Sequence, residues 1–414
     1  MKEVRKIIFA VILLLLAIPV WAGQFQAGVA KVEITPDHAV PLAGYGARYG
    51  KVSEGVLDRV YSRALVIDDG KTRMAVVSDD MLQVLEDLKL EVAKEVADLK
   101  LDGILLTATH THSGPGGYSD IPVVKIAVMG RYDDAYRKFL VSRIGKAIRE
   151  AAQNLKPAQF GSAVVTTSGF ARNRRHEGGA VDNELGLAKI TDASGKTIAY
   201  WINYAMHPTA YPAGNLKISG DWAGVLEKVI EEKEPGAVAM FFNAALGDQG
   251  AGCLLNEEPP VCVNRLGTGL AGEAWKNFPA IDTTDQVSIT LMEKMAPIPE
   301  LRLRKGCWTG IAWIMKRLGA ELRREQGEFM AVLINDTLIY ASPNELAVEV
   351  GKELKALHPD KKQMVFSHAN DWLGYMLTPA EFDIGGYESC MTLYGREFTP
   401  YFVEQFKDLT EEVK

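Results

Sequence analysis

The stretch Gly103-Ile104-Leu105-Leu106-Thr107-Ala108-Thr109 runs directly into His110-Thr111-His112-Ser113-Gly114-Pro115-Gly116-Gly117. The first seven residues are apolar enough for a buried strand. His110 and His112 follow it at i and i+2, so on extended backbone both imidazoles point to the same side. The glycines and the proline behind them allow a tight turn close to a ligand. Because imidazole binds metals and transfers protons near neutral pH, the stretch predicts a metal or catalytic site at the carboxyl end of the strand.

The rest of the chain alternates between apolar β-rich runs and helical stretches. The strand predictions are 64–67, 74–77, 103–109, 160–166, 197–204, 237–242, 287–291, 329–334 and 338–341, and the helix predictions are 85–99, 134–155, 222–234, 308–326 and 345–357. This alternation predicts an α/β fold in which mixed β-sheets are flanked by helices. Since the sequence contains no internal repeat and no low-complexity linker, we expect a single large catalytic domain over residues 23–414.

Polar residues recur where the predicted strands end. Asp79 and Asp80 follow one strand, His207 follows another, and Asn243 and Asp248 follow a third. In open α/β sheets, ligands bind beyond the carboxyl ends of the strands. The recurring placement favours one shared site at that edge.

Charge and the amino terminus limit the class of protein. The 414-residue chain carries a formal charge of −7, which argues against nucleic acid as a partner. Basic residues precede an apolar run over 7–20, and Ala22 ends a signal-peptidase pattern, so residues 1–22 are predicted to be a signal peptide. Retention of that segment as a membrane anchor is the alternative. We therefore expect a periplasmic or secreted protein.

Four cysteines remain in the mature chain, at positions 253, 262, 307 and 390. An exported protein can form disulfides, and four cysteines allow three full pairings, which the sequence does not distinguish. The apolar and aromatic segment 307–318 ends in basic residues. As a helix it is predicted either to contact a membrane peripherally or to pack in the core.

Beyond these patterns, the sequence resembles the neutral/alkaline, non-lysosomal ceramidase family over nearly the whole mature chain. The segments that carry the resemblance are Gly28–Thr35, Leu42–Gly46, Tyr61–Ala64, Thr109–Gly117, Asn173-Arg174, His207-Pro208-Thr209, Ser342–Glu345, Gly374–Phe382 and Tyr387. Members of this family hydrolyse the amide bond of ceramide, a lipid substrate, at a single zinc. The resemblance implies Zn²⁺ as the cofactor.

The resemblance also implies roles for individual residues. It assigns the metal ligands to His110, His207, Glu345 and Tyr375. It assigns His112, Arg174 and Tyr387 to binding the substrate or stabilising the reacting amide, and we assign Gly44, Gly116 and Asn243 to substrate binding. Zinc accepts imidazole and carboxylate ligands, and its bound water loses a proton near neutral pH. A phenol is an unusual ligand, and Glu345 alone is also explained as the first residue of a helix.

The chain departs from the family at one position. The family carries a serine, with a nucleophilic or water-orienting role, in the loop after the strand equivalent to 237–242, and that position falls on Gly250 or a neighbour. Metal-activated water needs no covalent nucleophile, so Asp248 is predicted either to orient the water or act as a base, or to cap a turn.

Three hypotheses follow. The first is a zinc amidohydrolase that acts on ceramide or a related N-acyl lipid. The second is a zinc hydrolase of the same fold that acts on another amide or ester, suggested by Gly250 and the short carboxyl-terminal end. The third is a lipid-binding protein that has lost turnover.

Overall fold

The computed structural model describes residues 24–307 and 324–413. The predicted signal peptide, and residues 308–323 of the predicted helix and membrane-contact segment, lie outside these ranges. The strands are β1 Gln26–Glu33, β2 Gly55–Val56, β3 Tyr61–Asp68, β4 Arg73–Asp79, β5 Gly103–Ala108, β6 Lys156–Thr166, β7 Ala171–Asn173, β8 Glu184–Asp192, β9 Thr197–Tyr204, β10 Lys217–Ile218, β11 Val238–Asn243, β12 Gln249–Ala251, β13 Ile289–Pro297, β14 Gln326–Ile334, β15 Thr337–Ser342, β16 Glu345–Leu346, β17 Lys362–Ser367 and β18 Tyr375–Met376.

The helices come mostly from the segments between these strands. The α-helices are α1 Glu86–Glu95, α2 Pro122–Val124, α3 Asp134–Gln153, α4 Asp221–Lys233, α5 Pro259–Asn277, α6 Val348–Lys355, α7 Pro379–Ile384, α8 Tyr387–Cys390 and α9 Phe398–Leu409. Short 3₁₀ turns cover Gly46–Arg48, Ala97–Leu99 and Phe278–Ala280, and a π-helix covers Lys125–Met129.

Two sheets pack face to face in the core. The larger has eight strands in the order β11-β9-β8-β6-β1-β3-β4-β5, and the smaller has four in the order β13-β14-β15-β17. Alternate side chains of both sheets meet between them, and the rings of Phe242 and Phe366 stack with their centroids 4.0 Å apart. The opposite faces are covered by helices, so Ala64 faces α3 while its neighbour Leu65 faces the other sheet. The period of two along each strand produces this layered arrangement.

The carboxyl ends of β5, β11 and β17 converge, although β5 and β11 lie at opposite ends of the strand order. The Asn243 amide at the end of β11 donates to the carbonyl oxygen of Thr109, just after β5. The Ser367 hydroxyl at the end of β17 donates to the Ala244 carbonyl oxygen at 2.7 Å. These bonds bring the loops after three strands to one place, as the strand-end polar residues predicted.

The predicted fold class, α/β with mixed sheets flanked by helices, is confirmed. Several boundaries differ by a few residues, as for the strand predicted over 287–291, which is β13 Ile289–Pro297. Two of the differences place a residue in the wrong kind of element. Glu345 does not begin a helix but lies in β16, and Gln326 begins β14 instead of ending a helix. The sequence patterns did not predict strand β8 at 184–192, strand β17 at 362–367 or helix α5 at 259–277.

Two disulfides join the four cysteines. Cys253 pairs with Cys262 and Cys307 pairs with Cys390, which selects one of the three possible pairings. The second disulfide anchors α8, whose first residue is Tyr387. Within residues 24–307 and 324–413, no helix has the length and apolar character needed to cross a bilayer.

Candidate metal centre and active-site cavity

Two imidazoles are fixed by backbone carbonyls at the ends of strands. His110 follows β5 in a left-handed conformation, with φ 65°, and its Nδ1 lies 2.7 Å from the Leu82 carbonyl oxygen. His207 follows β9, and its Nδ1 lies 3.1 Å from the Gln249 carbonyl oxygen. A carbonyl oxygen only accepts, so each Nδ1 carries the proton and each Nε2 presents a lone pair.

The oxygen donors come from a second pair of short strands. β16 and β18 are parallel and place Glu345 opposite Tyr375. The Glu345 Oε2 lies 3.0 Å from the His207 Nε2 and 3.5 Å from the His110 Nε2. The Tyr375 hydroxyl oxygen lies 3.4 Å from the same His207 atom. The indole N–H of Trp372 donates to the other oxygen of Glu345 at 3.1 Å and holds the carboxylate in place.

These four donor atoms have the spacing of ligands around one small cation. Ligands about 2.1 Å from a tetrahedral Zn²⁺ are about 3.4 Å from one another. The three imidazole–oxygen distances of 3.0, 3.4 and 3.5 Å bracket that value. An imidazole lone pair and a carboxylate oxygen also repel each other unless a positive charge lies between them. The residues present therefore fit a divalent metal ion.

The ionisation of the site points the same way. Burial, with the nearby charge of Arg174, lowers the pKa of His207 to about 4. At neutral pH the His207 imidazole is therefore neutral, the form in which imidazole binds metal.

His112 lies beside this centre and at the side of a cavity. Its Nε2 is 3.1 Å from the His110 Nε2, and burial lowers its pKa well below the usual value. The Tyr45 ring packs edge-on against it at 4.8 Å, and the Arg48 guanidinium donates to its carbonyl oxygen. Gly44, with φ 101°, approaches so closely that a Cβ there would lie 2.7 Å from the His112 Cγ. The loop 44–48 therefore fixes the position of this imidazole.

Arg174 and Tyr387 complete the polar side of the centre. The Arg174 Nη2 donates to the Tyr375 hydroxyl oxygen at 2.9 Å. The Nε of the same guanidinium lies 2.9 Å from a carboxylate oxygen of Glu388. Burial raises the pKa of Tyr375 well above its ordinary value, and Arg174 opposes that shift. The Tyr387 ring contacts Tyr375 edge-on at 5.7 Å and is 59% exposed at the cavity mouth.

A cavity of about 260 Å³ opens above the donor atoms. His110, His112, Glu345 and Tyr375 form its polar end. The remaining wall is mostly apolar and consists of Gly44, Gly46, Leu82, Gln83, Val123, Val124, Ala127, Val128, Trp372, Tyr387, Met391 and Leu393. Such a shape suits a ligand with one reactive polar group on an apolar body.

Five residues predicted for the site do not line the cavity. His207 and Arg174 lie behind it beside the donor atoms, whereas Asp248, Asn243 and Gly116 have structural contacts. The Asp248 carboxylate accepts from the side chains of Asn173 and Gln249 and from the backbone N–H of Val348, at 2.8–3.0 Å. These bonds match the turn-capping alternative. Asn243 supports the backbone before His110. A Cβ at Gly116 would lie 2.5 Å from the Met129 carbonyl oxygen, so this glycine allows two loops to pack closely.

Sequence reasoning missed two residues of the centre. The buried ring of His368 stacks on His110 with centroids 3.9 Å apart, and neither of its nitrogens has a hydrogen-bond partner among the described residues. A ligand atom of His368 lies within 4.8 Å of those of His110 and Glu345. His368 directly follows β17, so it carried the same strand-end signal as His110 and His207. Trp372 had no such signal.

Gly250 lies in β12, next to Arg174. A Cβ at this position would be 3.5 Å from the Arg174 Cβ, an ordinary van der Waals distance. A side chain would therefore fit, and packing does not demand glycine here.

The fold and the donor set define a class: a mixed α/β protein with histidine and carboxylate donors at the polar end of an apolar cavity. The family model described as neutral/alkaline non-lysosomal ceramidase, N-terminal, matches residues 25–268, which is more than half of the chain. The chain belongs to this family.

Individual relatives agree with this assignment. The chain is 27% identical over 266 residues to neutral ceramidase A of Dictyostelium discoideum, covering 58% of this chain and 37% of the relative. It is 26% identical over 269 residues to the neutral ceramidase of Pseudomonas aeruginosa, covering 58% of this chain and 39% of that one. The matches thus span about two fifths of the length of these curated relatives.

The fold is shared over a larger part of the chain. The crystal structure of the Pseudomonas aeruginosa neutral ceramidase superposes with a TM-score of 0.80 at 20% identity, covering 94% of this chain and 74% of that one. A ceramidase structure described as complexed with C2 superposes with a TM-score of 0.78 at 19% identity. The likeness therefore extends beyond residue 268 to the segments that carry Glu345 and Tyr375.

Proposed function

We propose that this protein is a zinc-dependent amidohydrolase that cleaves the N-acyl amide bond of ceramide or a related N-acyl lipid with a metal-activated water. The observation that carries the proposal is the cluster of His110, His207, Glu345 and Tyr375 donor atoms, in which Glu345 lies 3.0 and 3.5 Å from the two imidazoles and Tyr375 lies 3.4 Å from His207. Membership of the ceramidase family supports the substrate class.

The cluster would hold the metal with two imidazole nitrogens, one carboxylate and one phenol. When bound, Zn²⁺ polarises a carbonyl oxygen and lowers the pKa of water toward neutrality. His112 lines the cavity beside this point and can donate a hydrogen bond to the amide oxygen as negative charge develops on it. Arg174 holds the Tyr375 hydroxyl and adds a fixed positive charge.

The cavity indicates which part of the substrate lies inside. A volume of about 260 Å³ lies below the roughly 300–1,000 Å³ of sites that enclose a drug-sized ligand, so it is too small for a whole lipid. The amide and a few neighbouring carbons therefore fill it, and long alkyl chains extend through the mouth beside Tyr387. The apolar wall of the cavity suits the carbons of the substrate that lie next to the amide.

Gly250 favours a second candidate, a zinc hydrolase of the same fold that acts on a different amide or ester. Glycine offers no hydroxyl where the family has its serine, so a substrate whose hydrolysis needs that hydroxyl would not turn over. Both candidates use the same metal centre and differ only in substrate.

We further propose that the mature protein, residues 23–414, is a single domain located in the periplasm or secreted. Two disulfides that use all four cysteines are typical of proteins from oxidising compartments. The signal-peptide pattern of residues 1–22 gives the same location.

Metal analysis of the purified protein tests the centre. We expect about one zinc per chain, lost in His110→Ala and His207→Ala and retained in His38→Ala, whose exposed imidazole pairs with Asp37 and Asp133. Absence of zinc from the unmutated protein would remove both candidate functions.

Release of fatty acid from a fluorescent ceramide separates the two candidates. Zinc-dependent release supports the first. Zinc binding with release only from other amides or esters supports the second, and zinc and lipid binding without any turnover would indicate a lipid-binding protein.

A further inference from the structure

Two loops at the cavity mouth form one continuous surface. The first includes Gly44 and continues through Tyr49 and Gly50, and the second is the π-helix Lys125–Met129 with the residues that follow it. The backbone N–H of Gly44 donates to the Val128 carbonyl oxygen at 2.9 Å, and a Cβ at Gly50 would lie 3.4 Å from the Gly130 Cα. The two loops are therefore in direct contact along this edge of the cavity.

These loops carry large apolar side chains that point into solvent. Tyr49 is 90% exposed and Ile126 is 71% exposed. They border a shallow depression of about 580 Å³, which Lys125, Arg131 and Tyr132 also line. We call these five residues the mouth surface. Exposed aliphatic and aromatic residues grouped together mark an interaction site.

The mouth surface is cationic, whereas the chain as a whole is anionic. The whole protein carries a formal charge of −7, yet Lys125 and Arg131 are cationic. Within residues 24–307 and 324–413, no ion pair joins either side chain to a carboxylate. Their charge is thus free to attract an anionic partner.

The same two loops also form part of the cavity. Gly44 and Gly46 come from the first loop, and Ala127 and Val128 come from the second. A partner seated on the mouth surface would therefore lie directly beside the opening above the metal centre.

We propose that the mouth surface docks on an anionic lipid bilayer. A tyrosine and an isoleucine enter the interfacial layer, while Lys125 and Arg131 pair with acidic headgroups, the combination that membrane-surface proteins use. The bilayer is the occupant that matches both halves of the surface, its apolar side chains and its cations, and it supplies the alkyl chains at the cavity mouth. The functional meaning of this docking rests on the proposed lipid substrate, but binding to the bilayer itself requires no turnover.

Vesicle co-sedimentation tests the proposal. The probes are phosphatidylcholine vesicles with and without a minority of phosphatidylglycerol. We expect the unmutated protein to bind the anionic vesicles more tightly. The double variant Tyr49→Ser/Ile126→Ser and the double variant Lys125→Glu/Arg131→Glu should each bind them about tenfold more weakly or worse.

Matched controls make the test specific. Leu255→Ser removes a side chain that is 93% exposed on the Cys253–Cys262 loop and should leave binding unchanged. The surface variants should keep the unmutated melting temperature and the unmutated rate on a water-soluble N-acyl substrate. His110→Ala should lose zinc but still bind vesicles, which separates failure of docking from failure of the proposed function.

Several results would overturn the proposal. These are equal binding of both vesicle types by the unmutated protein, unchanged binding by both double variants, or an equal loss of binding in Leu255→Ser.

Discussion

The candidate metal centre has two sides that are held in place by different means. On the imidazole side, His110 and His207 extend from strand ends of the large sheet, and each is oriented by a backbone carbonyl, of Leu82 or Gln249. On the oxygen side, Glu345 and Tyr375 come from the two-stranded pair β16 and β18. Each of these is oriented by another side chain, Trp372 for Glu345 and Arg174 for Tyr375.

This difference determines how each side responds to mutation. No substitution removes a backbone carbonyl, so the orientation of the imidazoles survives changes in the side chains around them. The orientation of the oxygen ligands depends on two replaceable side chains. Partners outside the coordination sphere contribute strongly to metal affinity, so the oxygen side is the one that neighbouring substitutions can weaken.

The largest expected effect comes from removing the carboxylate itself. Glu345→Ala takes away the anionic ligand between the two imidazoles, and we expect zinc affinity to fall about a thousandfold, close to one ligand's share of a four-ligand zinc site. Competition with a chromophoric chelator measures it. Circular dichroism of the metal-free variant serves as the control for folding. Zinc affinity within tenfold of the unmutated value would place the oxygen side outside the centre.

The two sides also differ in how far sequence predicts them. His110 and His207 each directly follow an apolar strand, and that signal is local, so pattern reasoning placed both at the carboxyl edge of the sheet. His368 has the same signal and was missed because the strand before it, β17, was not predicted.

The oxygen side depends on contacts that are distant in the chain. Glu345 reads locally as the start of a helix, and only its pairing with Tyr375, 30 residues later, turns its side chain toward the histidines. A two-residue strand has no periodicity to detect. The resemblance to a family supplied both residues, while Trp372 emerged only from the folded arrangement. For Asp248 the sequence left a catalytic and a structural role open, and the fold shows its structural hydrogen bonds.

Substitution of a buried carboxyl group near the imidazole side shows whether zinc affinity on that side depends on nearby side chains. Asp79 ends β4, is fully buried, and forms no hydrogen bond of normal geometry through either carboxyl oxygen. Burial raises its pKa to about 8. In the unfolded chain its pKa is 3.8, so between pH 3.8 and 8 the folded state binds one more proton and stability falls as pH rises.

Asp79→Asn removes this titration. The variant should gain stability over the unmutated protein as pH rises, by about 3 kcal/mol between pH 5 and pH 7. Urea unfolding at the two pH values measures the difference. Zinc affinity should not change, because Asp79 contacts none of the ligands through its side chain. A pH-independent difference in stability, or a loss of zinc, would contradict this account.

A paired substitution compares the two sides directly. Trp372→Phe deletes the indole N–H that holds Glu345, and we expect zinc affinity to fall by about tenfold to a hundredfold. Gln249→Ala is the matched control on the imidazole side. It removes the side chain of the residue that orients His207 but keeps the carbonyl oxygen that faces the ring. Its zinc affinity should stay within about twofold. Equal losses in both variants would show that the two sides are not held differently.

The smallest effect is expected at Gly250, between the two sides. Gly250→Ser adds a hydroxyl where the resemblance predicts the family's serine, at Gly250 or a neighbour, and the added Cβ meets only an ordinary contact with Arg174. Because Gly250 is buried, the added hydroxyl has to lose its water, and the free energy of unfolding should fall by about 1 kcal/mol. If metal-activated water is the nucleophile, turnover of ceramide should stay within about twofold, since no covalent step awaits the hydroxyl. A large gain in turnover, measured as fatty-acid release, would instead show that the hydroxyl takes part in the reaction and would contradict metal-activated water as the sole nucleophile.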